Sequence, residues 1–315
     1  MIPWPHEALR IRRDPPATGW APNCVRIFLD SKDLINLFRT SNPMSVAEAR
    51  EWFEVHGATL VLAQSSVSEF VPVWEADKLR VRSELQELEE FPITYIRHGD
   101  IQCRELALAV AAFTAGFEPQ QLDPYVPQFW RTFVPLKAAN FSDVVLIQEM
   151  ERRVNFRLHD QVFMLWSNPT NFQNDKRTTV RLQHILDSVR ANTTTARHQF
   201  KAEIAEALSV CKVAASDVAG FEKWIRGKPS VAPGWRLHYE VLKEWAANVT
   251  DNAKDGDLND VTHLFAIPYL AYATLDRRFV DYATRAARRL RHFDNSIDYE
   301  LRLFRSFSEM VKAIP

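Results

Sequence analysis

Apolar and polar positions alternate in a regular order near the start of the chain. Apolar runs at 25–29, 58–63 and 92–96 have the length and composition of buried strands, and residues 46–57 between the first two have helical periodicity. Strands and helices that alternate with short connections predict a parallel sheet. Side chains that follow the carboxyl ends of such strands meet at one edge of the sheet, where ligands bind.

The pattern changes after residue 100. A long helix is predicted from about residue 100 to Gly116, and residues 119–233 read as helices with breaks that contain proline. We therefore predict a three-layer, Rossmann-like α/β fold with a parallel sheet, built from residues 24–100 and 235–315, and an all-helical insertion at 101–234. Five prolines in residues 1–23 predict an extended N-terminal arm.

Residues 256–279 carry three acids around two predicted elements. A helix that Asp257 or Asn259 caps is expected to stop near residue 267, because Pro268 lacks the N–H that would continue it. The apolar run at 270–275 predicts a strand that delivers Asp276 to its exposed end. A further helix, a short strand at 290–293 and a terminal helix are predicted to complete the chain.

Composition narrows the class of protein. The chain has 46% hydrophobic and 25% charged residues and 8 glycines, which indicates a globular, helix-rich protein rather than a disordered one. A net charge of −1 excludes a globally basic nucleic-acid binder but allows a local basic surface. Three distant cysteines form no zinc motif, and the chain shows no signal-peptide core and no apolar helix of membrane length. We expect a cytoplasmic protein without membrane segments.

Four acids occupy comparable places: Asp30 and Glu69 follow the first two strands, Asp260 lies on a helix, and Asp276 follows a later strand. Clustered carboxylates with neither cysteine nor convincing histidine partners suit Mg²⁺ or Mn²⁺ rather than zinc. The simpler interpretation is that Asp257 and Asp260 only favour the positive end of a helix and that Asp276 opens a turn. His263, one turn from Asp260, either orients a ligand, shuttles a proton or is a packed core histidine, and a histidine between apolar residues is more often packed.

Three segments resemble the PIN-domain nucleases: VRIFLDSKDLINL, LVLAQSSVSEFV and DLNDVTHLFAIPYLAYATLDRRF, in family order. The resemblance covers residues 24–100 and 235–293. It implies an endonuclease, usually a ribonuclease, that holds Mg²⁺ or Mn²⁺ with Asp30, Glu69, Asp260 and Asp276 and has Ser31 as a hydroxyl neighbour. Many members have Asn where this chain has Lys32, which could contact a phosphate or partly neutralise the pocket.

Arginines near Asp276 predict contacts to a nucleic-acid backbone. Arg278, Arg285, Arg289 and His292 share one helix face, so a cationic strip would lie beside the anionic site. The alternative is a solvated amphipathic face. With Arg277 next to Asp276, the predicted substrate contacts are Ser31, Lys32, Arg277, Arg278 and Arg285. A weaker second basic wall is predicted from Lys176, Arg177, Arg181, Arg190, Arg197 and Lys201.

Two choices stay open at the level of sequence. We prefer Asp260 to Asp257 as the helix ligand, because Asp260 has the family-like distance of about sixteen residues to Asp276. For function, one alternative to a nuclease is a non-catalytic PIN-like scaffold that binds RNA or protein, in which the acids would not converge. The other is a phosphatase of the haloacid-dehalogenase type. That family needs a second Asp two residues after the first, and this chain has Lys32 at that position. RNA is preferred to DNA as partner, and a homodimer or an inhibitory protein partner stays open.

Overall fold

The computed structural model describes residues 25–39, 44–70, 76–118, 122–126, 175–191, 201, 204 and 217–314. The predicted N-terminal arm at 1–23 lies outside these residues, as do Cys24, Cys211 and Arg197. Most of residues 119–216 are outside them too, so the description of that block is partial.

A six-stranded sheet organises the fold, in the order β4-β3-β2-β1-β5-β6. Its strands are β1 Val25–Phe28, β2 Ala58–Ala63, β3 Ile93–Ile96, β4 Tyr125–Val126, β5 Tyr272–Thr274 and β6 Leu303–Phe304. All neighbouring pairs are parallel except β3 and β4. The parallel sheet predicted from the alternating pattern is confirmed.

Eleven α-helices lie within the described residues. They are α1 Ser31–Leu37, α2 Val46–Val55, α3 Gln64–Ser68, α4 Lys78–Leu88, α5 His98–Ala115, α6 Asp175–Ala191, α7 Val218–Gly227, α8 Pro233–Ala247, α9 Asp257–His263, α10 Arg277–Arg291 and α11 Phe307–Ala313. Ser45 caps α2 in a capping box with Glu48. Gly116 ends α5 in the left-handed conformation, at the position where the sequence predicts the end of this helix.

Helices cover both faces of the sheet and bury two hydrophobic cores. Ile27 and Leu60 of the central strands pack into a core with α1, α2, α4 and α11. Their neighbours Phe28 and Val61 point to the opposite face and join a core with α5 to α10. Because successive side chains of a strand alternate between its faces, strands that are apolar throughout become buried on both sides. The result is a three-layer α/β fold.

Three expectations about local structure are wrong. The described part of 101–234 is not all helical, since β4 lies within it and pairs with β3 at the edge of the sheet. Residues 290–293 form the end of α10 and a turn instead of a strand, and the next strand is β6. The helix that starts at Asp257 ends at His263, and a 3-10 turn at Ile267–Tyr269 takes up Pro268.

The block 101–234 also contributes to the common core. Helices α5, α6 and α7 share the hydrophobic cluster that includes Trp235 and Trp245 of α8. The proposed division into a core and an insertion stays a prediction. No helix in the described part of the chain combines the length and the apolar character that a membrane crossing needs.

Candidate metal centre

The central strands β1 and β5 bring two acids to the same edge of the sheet. The chain runs from β1 toward β2 on one side and returns through β5 on the other, so the strand order reverses between β1 and β5. Asp30 and Asp276 each lie two residues beyond these strands. The backbone N–H of Asp30 donates to Thr274 Oγ1 at 2.8 Å and ties the two strand ends together.

Both strand-end acids also cap helices. Asp30 Oδ1 accepts the Ser31 N–H at 2.8 Å at the start of α1, and Asp276 Oδ1 accepts the Arg278 N–H at 2.9 Å at the start of α10. Both carboxylates thus have an ordinary structural role as helix caps. Each cap uses a single carboxylate oxygen, so capping is compatible with a second role for the carboxylate.

Helix α9 supplies the remaining members of the cluster. One ligand atom each from Asp30, Asp260 and His263 lies within 4.8 Å of the others, so the three side chains could hold a metal ion together. Asp260 and His263 are three residues apart, which places them on one face of the helix. Within the described residues, Asp260 rather than Asp257 joins Asp30, in agreement with the choice made from the spacing to Asp276.

Burial and mutual repulsion weaken the acidity of the two carboxyl groups. Burial, together with the negative charges of Glu69, Asp33 and Asp276, raises the pKa of Asp30 to about 7. Burial likewise raises the pKa of Asp260 to about 8, with Asp30 as the strongest of its charged neighbours. Because both pKa values lie near neutral pH, protons and a divalent cation would compete for these two carboxylates.

Glu69 and Asp276 surround this cluster without belonging to the closest group. The negative charges of both raise the pKa of Asp30 and of Asp260, which places them near these two carboxyl groups. Asn259 Nδ2 lies 3.5 Å from Glu69 Oε1, at the limit of a hydrogen bond. Their role as metal ligands stays a prediction.

His263 is buried against the end of the sheet. Its side chain is 1% exposed, its Nε2 lies 2.7 Å from Ser65 Oγ, and its ring centroid lies 4.7 Å from that of Phe28. Burial lowers the pKa of His263 to about 3, so the ring is neutral at physiological pH. The sequence signal for this residue was its spacing of three from Asp260, and nothing in the sequence marked Ser65.

The residues are chemically suited to a divalent ion. Two carboxylates and a neutral imidazole are a donor set that divalent first-row ions accept. Ser31 Oγ, next to Asp30, is buried and has no hydrogen-bond partner among the described residues. A buried hydroxyl without a partner costs free energy unless water or a ligand satisfies it, so it too fits a site that takes up a ligand.

Asp257 has a structural role that differs from the predicted cap. Gly256, in the left-handed conformation, precedes α9, and no side chain caps this helix. Asp257 instead accepts the Lys254 N–H at 2.6 Å and forms an ion pair with Arg278. The expected capping by Asp257 or Asn259 is wrong, because a positive φ at Gly256 turns the chain into the helix without a side-chain cap.

Arg278, a predicted phosphate contact, is held by acids of its own chain. Its Nη1 lies 2.9 Å from Asp251 Oδ1, its other amino group pairs with Asp257, and its guanidinium lies 5.1 Å from the ring centroid of Trp245. These contacts compensate its charge and fix its position. Arg277, by contrast, is exposed and has no ion pair among the described residues.

The outer arginines of α10 contact α8. Arg285 Nε lies 3.1 Å from Glu244 Oε2, and Arg289 pairs with Glu244 and Glu240. This pairing agrees with a structural amphipathic face for both residues. Lys32 is exposed on α1, and its predicted substrate contact, like those of Arg277 and Arg285, stays a prediction.

Of the residues predicted to form a second basic wall, the structure describes the side chains of Arg190 and Lys201. Arg190 of α6 pairs with Asp187 and donates to the carbonyl groups of Asn248 and Asp251, so it joins α6 to the loop before α9. Lys201 Nζ lies 3.9 Å from Glu222 Oε2. The side chains of Lys176, Arg177, Arg181 and Arg197 lie outside the described part of the structure.

A cavity of about 500 Å³ lies beside Asp276, and its lining includes none of Asp30, Asp260 and His263. It is lined on one side by the start of α10, including Arg277, and on the other by the loop at 248–251. Its walls carry both basic and acidic side chains, so it offers polar partners to a ligand.

Comparison of the chain with protein-family models, with curated proteins and with solved structures gives no match. The family resemblance seen in the three sequence segments therefore stays a prediction.

Proposed function

We propose that this chain is a divalent-metal-dependent endonuclease that hydrolyses phosphodiester bonds, with RNA as its substrate. The observation that carries the proposal is the convergence of Asp30, Asp260 and His263 at the carboxyl edge of a parallel sheet, within the field of Glu69 and Asp276. Open α/β sheets bind their ligands at this edge, where the strand order reverses.

The chemistry follows from the residues. Asp30 and Asp260 would hold Mg²⁺ or Mn²⁺, and Glu69 and Asp276 would bind the ion through water or a second ion. A bound divalent ion activates water and stabilises the negative charge that develops on a phosphodiester. Exposed Arg277 beside Asp276 would contact a backbone phosphate and keep the substrate against the acidic centre.

The choice of a nuclease rests on the resemblance to PIN-domain nucleases. Each of the three segments that carry it contains at least one acid of this group: Asp30 in the first, Glu69 in the second, and Asp260 and Asp276 in the third. A non-catalytic scaffold predicts acids that do not converge, so the convergence of Asp30 with Asp260 favours the enzyme. The preference for RNA over DNA has the resemblance alone as its support.

The test is incubation of the purified protein with single-stranded RNA, single-stranded DNA and a phosphomonoester, with and without Mn²⁺. We expect RNA cleavage that depends on Mn²⁺ and falls by at least about 100-fold in Asp30→Asn, since even indirect partners of a metal affect activity by roughly 10–100-fold. Asp217→Asn is the matched control, because Asp217 is exposed and makes no capping hydrogen bond.

Two outcomes would overturn the proposal. RNA that stays intact at saturating Mn²⁺, or cleavage that persists unchanged in Asp30→Asn, removes the metal centre from catalysis. Hydrolysis of the phosphomonoester without cleavage of either nucleic acid would instead support a phosphatase.

A further inference from the structure

We infer that His263 is itself a ligand of the divalent ion, and that the resulting set of two carboxylates and one imidazole selects Mn²⁺ over Mg²⁺. This inference rests on the proposed metal centre and specifies which ion it takes. It adds a nitrogen ligand to a site for which the four acids had predicted only oxygen ligands.

The geometry carries the inference. One ring nitrogen of His263 and one oxygen each of Asp30 and Asp260 lie within 4.8 Å of one another, a span that a single ion at the centre of three ligands can bridge after small side-chain movements. Asp30 follows β1, whereas Asp260 and His263 come from α9. Two separate elements thus converge on one point, which a helix face alone would not produce.

The surroundings of His263 hold the ring in a fixed orientation. Phe28 of β1 packs against it, and Ser65 at the start of α3 lies 2.7 Å from Nε2. Metal-binding histidines commonly donate their second ring N–H to a neighbouring acceptor, which fixes the tautomer. A hydrogen bond from Nε2–H to Ser65 Oγ would leave the lone pair on Nδ1 as the metal donor.

The nitrogen ligand decides which ion is preferred. Mg²⁺ keeps several waters and is bound through oxygen, whereas imidazole favours the first-row transition ions. Mn²⁺ accepts both carboxylate oxygen and imidazole nitrogen, and it is therefore the ion that this mixed set would prefer over Mg²⁺.

A second histidine of the chain serves as a comparison. His238 of α8 stacks on Phe265 with a centroid distance of 4.2 Å, and it belongs to no carboxylate group that could hold a metal within the described residues. His238 therefore shows how a histidine packs when it has only a structural role, and His238→Gln provides a matched control.

The experiment is pulsed electron paramagnetic resonance of Mn²⁺ bound to the full chain, which detects coupling from a directly bound imidazole nitrogen. We expect this coupling in the wild-type chain and in His238→Gln, and its loss in His263→Gln. Titrations should show that His263→Gln lowers the ratio of Mn²⁺ to Mg²⁺ affinity by roughly 10-fold or more. Asp30→Asn should remove both the bound Mn²⁺ and its nitrogen coupling, which locates the signal even if His263→Gln fails to fold.

The results separate this inference from the proposed function. Mn²⁺ that binds and supports RNA cleavage without any imidazole nitrogen coupling would overturn the inference and leave the nuclease intact. Nitrogen coupling without RNA cleavage would support His263 as a ligand and count against the nuclease. Failure of Mn²⁺ to bind would overturn both.

Discussion

Replacement of Asp260 by asparagine should stabilise the metal-free protein while it removes the metal centre. Asp260 is largely buried beside Asp30, and its pKa is raised to about 8 from an ordinary value of 3.8. The unfolded chain therefore releases a proton that the folded protein keeps, and stability falls as the pH rises from about 4 to about 8. Asparagine has nearly the same shape and carries no charge, so Asp260→Asn is free of this penalty.

The size of the effect follows from that interval. Between the ordinary pKa of 3.8 and pH 7, each pH unit lowers the free energy of unfolding by about 1.4 kcal/mol, which gives about 4 kcal/mol at pH 7. Two effects make the actual contribution smaller. Protonation of Asp30 relieves part of the repulsion between the two carboxyl groups, and water reaches the partly exposed carboxyl group of Asp260. We expect Asp260→Asn to raise the free energy of unfolding by roughly 1–2 kcal/mol at pH 8.5 and by much less at pH 5.

Urea unfolding in a metal chelator measures this difference, with Asp217→Asn as a control that should change nothing at either pH. The comparison is then repeated with Mn²⁺. An ion at 100 times its dissociation constant stabilises the protein that binds it by about 2.7 kcal/mol, so the wild-type chain should become the more stable one. The order of stability of the wild-type chain and Asp260→Asn should therefore reverse when Mn²⁺ is added.

The reasoning is refuted if Asp260→Asn is no more stable than the wild-type chain at pH 8.5 without metal, or if its advantage is the same at pH 5. Either result would mean that burial and the charge of Asp30 do not raise the pKa of Asp260 in the folded protein. An unchanged order of stability in saturating Mn²⁺ would mean that Asp260 is not required for binding the ion.

Two further predictions concern residues around the site. Gly234→Ala should destabilise the protein by roughly 1–3 kcal/mol in thermal unfolding, because a Cβ there would lie 2.4 Å from the Phe265 carbonyl oxygen, whereas Gly227→Ala meets nothing within 4 Å and should have little effect. Arg278→Met should destabilise by about 3 kcal/mol, since it leaves Asp251 and Asp257 without their cation, whereas Arg277→Met should weaken RNA binding in a filter-binding assay and leave the melting temperature unchanged. Equal loss of stability in both arginine variants would contradict this division.

The strands and their direction could be predicted because the pattern of local residues determines them. The run 58–63 is apolar at every position except Thr59, which predicts burial on both faces, and the helices between such runs favour parallel pairing. The edges were harder to predict. The two-residue strand Tyr125–Val126 has too few positions to show a period, and it exists because β3 offers an unpaired edge.

The sequence predicts that Asp30 and Asp276 follow strands and that Asp260 and His263 lie on one helix face, because these relations are local. Tertiary packing determines which acids meet. In the folded protein Asp260 lies beside Asp30, whereas Asp257 forms an ion pair with Arg278, although Asp257 and Asp260 are only one helical turn apart. Tertiary packing also makes His263 a neighbour of the carboxylates rather than an ordinary core residue. Contacts between distant segments depend on how helices pack on the sheet, and the spacing of residues along one helix does not contain that information.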